Sequence, residues 1–323
     1  MEKIKQNPFV RKVGINRILL AIVLLLMYVV FCALIPNFFG MAHINSMLNY
    51  ACFLGFLSLG VTFVIATGGI DFSIGPVMFC CALISGYTFN NYGLPMIGTL
   101  LLSVLIGFLF GCFNGYMVSY WNVPPFIISM ASMNIAKGLA SVFTKTNTVS
   151  WPQADQAGGW FRNLLRVGNF PVGLVLFLIA AILCAIILNN TRAGRYILGL
   201  GSNKEAVRLS GVNTKRWQMT AYVICGILTG IAAIFFAAAY TTVQPGYGDQ
   251  YNNEVIAGCV MGGTSMIGGL ASISGTFIGA MIISMIQEGI LAMKFAKDVQ
   301  LIITAVIVAA AVFIDVSSRR RRN

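Results

Sequence analysis

The chain of 323 residues is too apolar for a soluble globular protein, because 58% of its residues are hydrophobic and only 9% are charged. Its formal net charge of +12 does not indicate nucleic-acid binding, since the cations lie at the ends of apolar segments, as membrane topology requires. No aspartate, glutamate, lysine or arginine lies between Arg17 and Asp71, or between Asp71 and Lys137. A bilayer-spanning helix needs about 20 mostly apolar residues, so each gap holds more than one span.

This pattern predicts an all-α, polytopic integral membrane protein, with residues 1–323 forming a single transmembrane domain. The first apolar segment, Ile18 to Ile35, follows a basic stretch but ends in "PNFFG" without a small-residue cleavage site, so we expect an uncleaved helix. Breaks at proline, glycine, asparagine and charged residues predict about ten spans: 18–35, 50–67, 74–90, 96–118, 125–143, 171–188, 219–240, 253–265, 272–289 and 299–316.

The distribution of cations predicts the orientation of these spans. With the N-terminus in the cytoplasm, the cytoplasmic segments carry 15 of the 21 lysines and arginines. The positive-inside rule therefore places both termini in the cytoplasm. The arginine run at 319–322 is expected to contact anionic lipid rather than nucleic acid.

No catalytic or metal-binding motif is found in the sequence. It contains no phosphate-binding GxxxxGK[ST] loop, no HExxH and no GxSxG, so any ATP hydrolysis must take place on another chain. All eight cysteines lie in apolar segments without a CxxC pair, and His43 is the single histidine. We therefore expect no disulfide framework and no metal site.

Glycines interrupt two apolar segments in a similar way. "TGGIDFSIG" (67–75) and "MGGTSMIGG" (261–269) each follow an apolar run with Gly-Gly, a short polar step and Ile-Gly. Repeated, glycine-interrupted helices indicate a translocation pathway in transporters. The predicted helix breaks are at Gly68, Gly69, Gly262 and Gly263. Elsewhere glycines recur every four residues, as at Gly107, Gly111 and Gly115, which predicts close helix packing.

A few polar residues lie in or beside apolar segments and are candidates for lining a pathway. They are Asp71, Ser73, Asn114, Gln244 and Thr264. Interhelical hydrogen bonding is the alternative role for such groups. Two roles are open for Asp71: it could be a proton-relay carboxylate, or it could cap a broken helix in "DFSIG". We favour the cap, because no basic partner lies nearby in sequence.

Charge is concentrated in one predicted cytoplasmic loop, 189–218, within "GLGSNKEAVRLSGVNTKRW". Ser202 and Glu205 fit an S-x-x-E capping box, and Gly211 stands where a helix would end in a left-handed residue. The predicted helix, 203–210, is too short to be stable alone in water. We therefore expect it to dock on a cytoplasmic partner; a helix lying on the membrane surface is the alternative.

Three segments resemble one family, the ribose-type sugar permeases of ABC importers. They are "TRAGRYILGLGSNKEAVRLSGVNTKRW", "GGIDFSIG" and "QPGYGDQYNNEVIAGCVMGGTSMIGG". The resemblance covers nearly the whole chain in the right order. It departs at "GDQYNNE", where relatives have a Gly-Tyr-Glu-Leu-Asp-like run, and at "GGLASISGT", which lacks a basic residue.

The resemblance implies a multi-pass protein of the bacterial inner membrane that carries a monosaccharide or similar solute and is not itself an enzyme. It implies three partners: a second copy of the chain, a cytoplasmic ATPase that holds ATP and Mg²⁺, and a periplasmic or lipid-anchored sugar-binding protein. It also implies an ATPase-coupling role for Asn203, Glu205, Ala206, Arg208 and Gly211, to which the capping argument adds Ser202. The alternative is a proton-coupled secondary transporter that uses Asp71 or Glu288.

Overall fold

The computed structural model describes residues 15–295, together with 299, 302, 303, 305, 306, 309 and 313. Ten α-helices occupy most of the described chain: α1 (Ile15–Leu34), α2 (Met41–Ala66), α3 (Ile74–Tyr92), α4 (Met96–Ser119), α5 (Pro125–Phe143), α6 (Val172–Asn190), α7 (Arg192–Leu209), α8 (Thr214–Ala239), α9 (Asp249–Met261) and α10 (Ile273–Ala292). Strands β1 (Val149–Ser150) and β2 (Thr242–Val243) and a 3-10 helix (Gly159–Leu164) lie between them.

Six of these helices are long and apolar enough to cross a membrane, namely α2, α4, α5, α6, α8 and α10. A shorter apolar helix covers Leu20–Leu34 within α1. Helix α9 has 13 residues and extends only about 20 Å at 1.5 Å per residue. The chain is thus a polytopic helical membrane protein, whereas the predicted count of ten spans is not confirmed. The last predicted span, 299–316, lies outside the continuously described residues.

Helical structure extends beyond the predicted spans in two places. Helix α2 begins at Met41 rather than at residue 50, because the polar side chains in its first turns do not interrupt the helix. The predicted loop 189–218 is mostly helical, since α7 and the start of α8 fill it. Charged and polar residues mark the end of a membrane span, but they do not prevent a helix in water.

Helix α2 lies at the centre of the bundle, and every residue from Ala51 to Ala66 is buried. Glycine contacts bring the surrounding helices together, as the four-residue spacing predicts. A Cβ atom on Gly107 of α4 would lie 2.3 Å from the carbonyl oxygen of Gly226 on α8. A Cβ atom on Gly279 of α10 would lie 2.0 Å from the carbonyl oxygen of Gly258 on α9. Only glycine permits helix backbones this close.

The loop between α5 and α6 folds onto the end of the bundle. Its strand β1 pairs antiparallel with β2, which follows α8. Trp151 is 2% exposed and packs against Gly86 of α3, so its side chain belongs to the core of the bundle. The guanidinium group of Arg162 donates to the carbonyl oxygens of Pro152 at 2.7 Å and Ala238 at 3.0 Å. These bonds fix the loop to the end of α8.

The orientation remains a prediction that can be tested with reporter fusions. The cation distribution places residue 155, in the α5–α6 loop, outside the membrane and residue 205, in α7, inside. Fusions of an alkaline phosphatase and of a fluorescent protein at each position should therefore give opposite signals. The same signal at both positions would contradict the orientation.

Candidate functional site

The two predicted helix breaks have the same backbone geometry. Each helix ends in a hydrogen bond that reaches back five residues, donated by the N–H of Gly69 after α2 (3.3 Å) and of Thr264 after α9 (3.0 Å). Gly68 and Gly263 occupy the left-handed region, with φ values of +80° and +90°. This is the Schellman motif, in which glycine avoids the penalty of a left-handed residue. In backbone geometry Gly68 therefore corresponds to Gly263. Aligning the two sequence segments letter by letter would instead pair Gly68 with Gly262.

Three of the predicted pathway residues form one buried cluster. The Asp71 carboxylate accepts hydrogen bonds from the backbone N–H of Ser73 at 2.8 Å and from its hydroxyl at 2.6 Å. The Asn114 amide donates to Ser73 Oγ at 3.0 Å and to Asp71 Oδ2 at 3.4 Å, and Ser132 donates to Asn114 Oδ1. Asp71 is only 4% exposed. These neutral partners satisfy the carboxylate just before α3 begins.

The other two candidates lie elsewhere. Thr264 is buried, and its hydroxyl oxygen accepts from the backbone N–H of Ser272 at 3.3 Å, next to the start of α10. Gln244 is exposed and follows β2. The structure therefore brings together Asp71, Ser73 and Asn114, but neither Thr264 nor Gln244 joins them.

Sequence reasoning missed Asn252, which joins the two interrupted regions. Its side-chain Oδ1 accepts from the N–H of Gly75 at 2.9 Å, and its Nδ2 donates to the carbonyl oxygen of Phe72 at 2.6 Å. Asn252 is 3% exposed and belongs to α9, whereas Gly75 lies in the first turn of α3 and Phe72 in the turn just before it. A first-turn N–H of α3 is thus capped by another helix rather than by Asp71. The sequence signal was weak, because Asn252 lies in the polar stretch "GDQYNNE" and nothing distinguishes it there from its polar neighbours.

The two membrane glutamates have described partners. Glu254 accepts from Tyr50 Oη at 2.5 Å and from Gln287 Nε2 at 2.8 Å. Glu288 lies 2.7 Å from Nδ1 of His43, so the single histidine pairs with a carboxylate. Among the described residues, no group of three or more histidine, cysteine, aspartate or glutamate side chains is arranged to hold a metal ion.

The charged segment 189–218 differs from the predicted capping box. Helix α7 runs from Arg192 to Leu209 with a kink at Asn203, where φ is −160° and ψ is 95°. Asn203, not Ser202, caps the second half, because its Oδ1 accepts from the N–H of Ala206 at 2.9 Å. The Glu205 carboxylate pairs with Arg208 instead of returning to Ser202. The extended backbone at Asn203 places a good N-cap residue one position later than the motif suggests.

The end of α7 has the geometry that the sequence predicts. Gly211 is left-handed, with φ of +79°. The two Arg208 hydrogen bonds hold the pKa of the Glu205 carboxyl below its ordinary value. All of the predicted coupling residues are exposed, namely Ser202, Asn203, Glu205, Ala206, Arg208 and Gly211. Leu209 is 75% exposed, an apolar side chain on an otherwise polar surface.

Just before the kink, α7 touches the end of α2 and the loop between α9 and α10. A Cβ atom on Gly201 would lie 2.1 Å from the carbonyl oxygen of Ala66 and 2.3 Å from the backbone nitrogen of Gly269. These two atoms are themselves hydrogen-bonded at 3.0 Å. A Cβ atom on Gly268 would lie 2.7 Å from the nitrogen of Gly68. We call this contact of Gly201, Ala66 and the Gly268–Gly269 pair the glycine joint. No local sequence pattern predicts it.

Comparison with known proteins identifies the family. The sequence model of the permease component of branched-chain amino acid transport systems matches residues 43–312. The chain belongs to this permease family. The ribose import permease protein RbsC of Escherichia coli K12 is 31% identical over 298 residues, covering 91% of this permease and 92% of the relative.

Two further relatives have similar coverage. The ribose import permease protein RbsC of Bacillus subtilis is 29% identical, covering 90% of each chain. The fructose import permease protein FruF of Bifidobacterium longum is 30% identical and covers 90% of this permease and 85% of the relative. No solved structure matches. This multi-pass membrane protein is therefore a permease subunit and not an enzyme.

Proposed function

We propose that this permease imports a small sugar as the membrane-spanning subunit of an ABC transporter. The alignment of ribose and fructose import permeases along about nine-tenths of the chain supports a sugar as the solute. A separate cytoplasmic ATPase holds ATP and Mg²⁺, and an external binding protein delivers the sugar. Two copies of the permease form the complex in the inner membrane, with both termini in the cytoplasm and the basic C-terminus near anionic lipid.

The observation that carries the mechanism is the path from α7 to the membrane interior. The second half of α7 is exposed and short, and binding in a groove on the ATPase would bury and stabilise it. At its start, Gly201 is wedged against the ends of α2 and of the loop after α9. Movement of the docked helix would therefore be transmitted to both helix breaks. Alternating access then follows as a shift between two states, driven by the ATPase.

In this proposal Asp71 is a structural residue, not a proton carrier. Its carboxylate orders the turn before α3 through Ser73 and is held by Asn114. Ser73 and Asn114 remain candidates for contact with the solute once the two copies rearrange. Gly68, Gly69, Gly262 and Gly263 provide the interrupted helices about which the cavity opens.

Transport in proteoliposomes tests the proposed function. Vesicles that contain the permease and its ATPase, supplied with the binding protein, should take up radiolabelled D-ribose or D-fructose only with ATP. A proton ionophore should have no effect. Uptake that persists without the ATPase and collapses with the ionophore would instead show a proton-coupled secondary transporter.

Substitutions at Asp71 give a control in the same assay. Asp71→Asn keeps an oxygen that accepts from Ser73, so most of the uptake should remain, whereas Asp71→Leu leaves buried donors unpaired and should abolish it. If both variants assembled with the ATPase yet were equally inactive, Asp71 would be a proton carrier.

A further inference from the structure

An ion pair lies on the surface of the bundle at membrane depth. Lys137 Nζ on α5 is 2.5 Å from Asp249 Oδ2, the first residue of α9. Their side chains are 23% and 54% exposed. Charged side chains inside a bilayer are costly and face either the bundle interior or a water-filled cavity. This pair is not in the bundle interior, so the remaining possibility is that it faces a water-filled cavity.

The depth of the pair follows from its neighbours. Helix α5 is one of the candidate spans, and Lys137 lies within it rather than at either end. A Cβ atom on Gly248, next to Asp249, would lie 2.8 Å from Pro76 of α3. Tyr251, two residues after Asp249, packs against Phe53, near the middle of α2. Lys137 therefore reaches a carboxylate at the level of the membrane interior and does not extend to the membrane surface.

Other polar side chains extend this surface along both helices. Asn134 and Asn253 are exposed and Ser141 is partly exposed. Residues 134, 137 and 141 share one face of α5, and 249 and 253 share one face of α9, by their three- and four-residue spacing. By contrast, the exposed side chains in the middle of α4 and α6 are apolar, as lipid requires, for example Leu101 and Ile182. We call Asn134, Lys137, Ser141, Asp249 and Asn253 the polar stripe.

We propose that the polar stripe lines the translocation pathway and that Lys137 and Asp249 hydrogen-bond the hydroxyl groups of the passing sugar. This inference rests on the proposed function. A hydroxyl group both donates and accepts, so it fits a neighbouring ammonium and carboxylate better than either group alone. The charges compensate each other, so the pair contacts a neutral polyol without attracting a counter-ion. The exposed half of Asp249 leaves surface for that contact.

Thiol labelling tests whether the stripe faces water. Six of the eight native cysteines are buried, so the wild-type permease gives a low background. Asn134→Cys and Asn253→Cys, in the full complex with ATPase and binding protein, should react with a membrane-impermeant maleimide. The matched control, Ile182→Cys on the apolar face of α6, should not react. Labelling is measured without nucleotide and after trapping with ATP and vanadate. Labelling as weak as that of Ile182→Cys in both states would overturn the proposal.

Uptake measurements test the contact with the sugar. Lys137→Met and Asp249→Leu should each lower uptake of D-ribose or D-fructose about 10- to 100-fold, the loss expected for one hydrogen bond to a charged group. The double variant removes both charges and leaves none unpaired. It should insert and hydrolyse ATP normally, yet remain as slow as the single variants. Wild-type uptake by the double variant would show a purely structural pair and overturn the proposal.

The two measurements separate this inference from the proposed function. If the wild-type complex failed to take up either sugar with ATP, the proposed function would fail. The labelling would still report whether the stripe faces water. If the wild-type complex transported while the stripe stayed unlabelled, only the inference would fall.

Discussion

Gly201→Ala is expected to stop transport while leaving the permease folded in the membrane. The added methyl group would lie within 2.3 Å of two backbone atoms of the glycine joint, and neither atom can move away as a flexible side chain could. Overpacking of this kind costs about 1–3 kcal/mol. If the joint is tight in only one of the two transport states, that cost alters their ratio about 5- to 150-fold.

The measurement compares ATP-driven sugar uptake with ATPase activity in the same proteoliposomes. Gly201→Ala should retain the ATPase and its basal hydrolysis but lose nearly all uptake. The matched control is Gly199→Ala, two residues earlier in α7, where the new Cβ atom meets one methyl carbon of Val207 at 3.0 Å and no backbone atom. Normal uptake by Gly201→Ala would show that α7 does not act through the joint.

Asn252→Leu is expected to destabilise the permease and to abolish uptake. The substitution leaves the N–H of Gly75 and the carbonyl oxygen of Phe72 without their buried partner. Each unsatisfied group costs about 1–3 kcal/mol, so the free energy of unfolding should fall by roughly 2–6 kcal/mol. The start of α3 would also separate from α9, and with it the Asp71 cluster would lose its fixed position.

Thermal unfolding in detergent and uptake in proteoliposomes measure these two effects. Asn252→Asp keeps an acceptor for Gly75 but places a buried carboxylate against the carbonyl oxygen of Phe72, so it should be at least as unstable as Asn252→Leu. Asn90→Leu is the control, because Asn90 makes a similar 2.8 Å bond to Ser150 at an exposed site. An equal loss of stability in Asn90→Leu and Asn252→Leu would show that burial does not explain the effect.

Much of the local backbone geometry follows from short stretches of sequence. The helix ends at Gly68 and Gly263 follow from Gly-Gly after an apolar run, because only glycine enters the left-handed region at little cost. The left-handed Gly211 follows in the same way. The prediction for Ser202 failed, because two adjacent residues can both serve as N-cap. The extended backbone at Asn203, two residues after Gly201 of the glycine joint, makes Asn203 the N-cap.

The contacts between distant segments required the folded chain. Asn252 and Gly75 are far apart in sequence, and nothing in either stretch names the other as its partner. Lys137 was visible as a cation inside a span, but its pairing with Asp249 and the exposure of both depend on how α5 packs beside α9. The role of Gly201 likewise depends on two loops that arrive from other parts of the chain.

The sequence by itself determined the class of protein and its division into apolar segments, since hydropathy, charge placement and glycine geometry act over one or two turns of helix. Its resemblance to sugar permeases came from local motifs for the same reason. Tertiary structure alone decided that α3 and α9 begin side by side, that Asp71 joins Asn114, and that α7 contacts both the end of α2 and the loop after α9. Those arrangements depend on close packing and on hydrogen bonds between segments, which local sequence patterns do not encode.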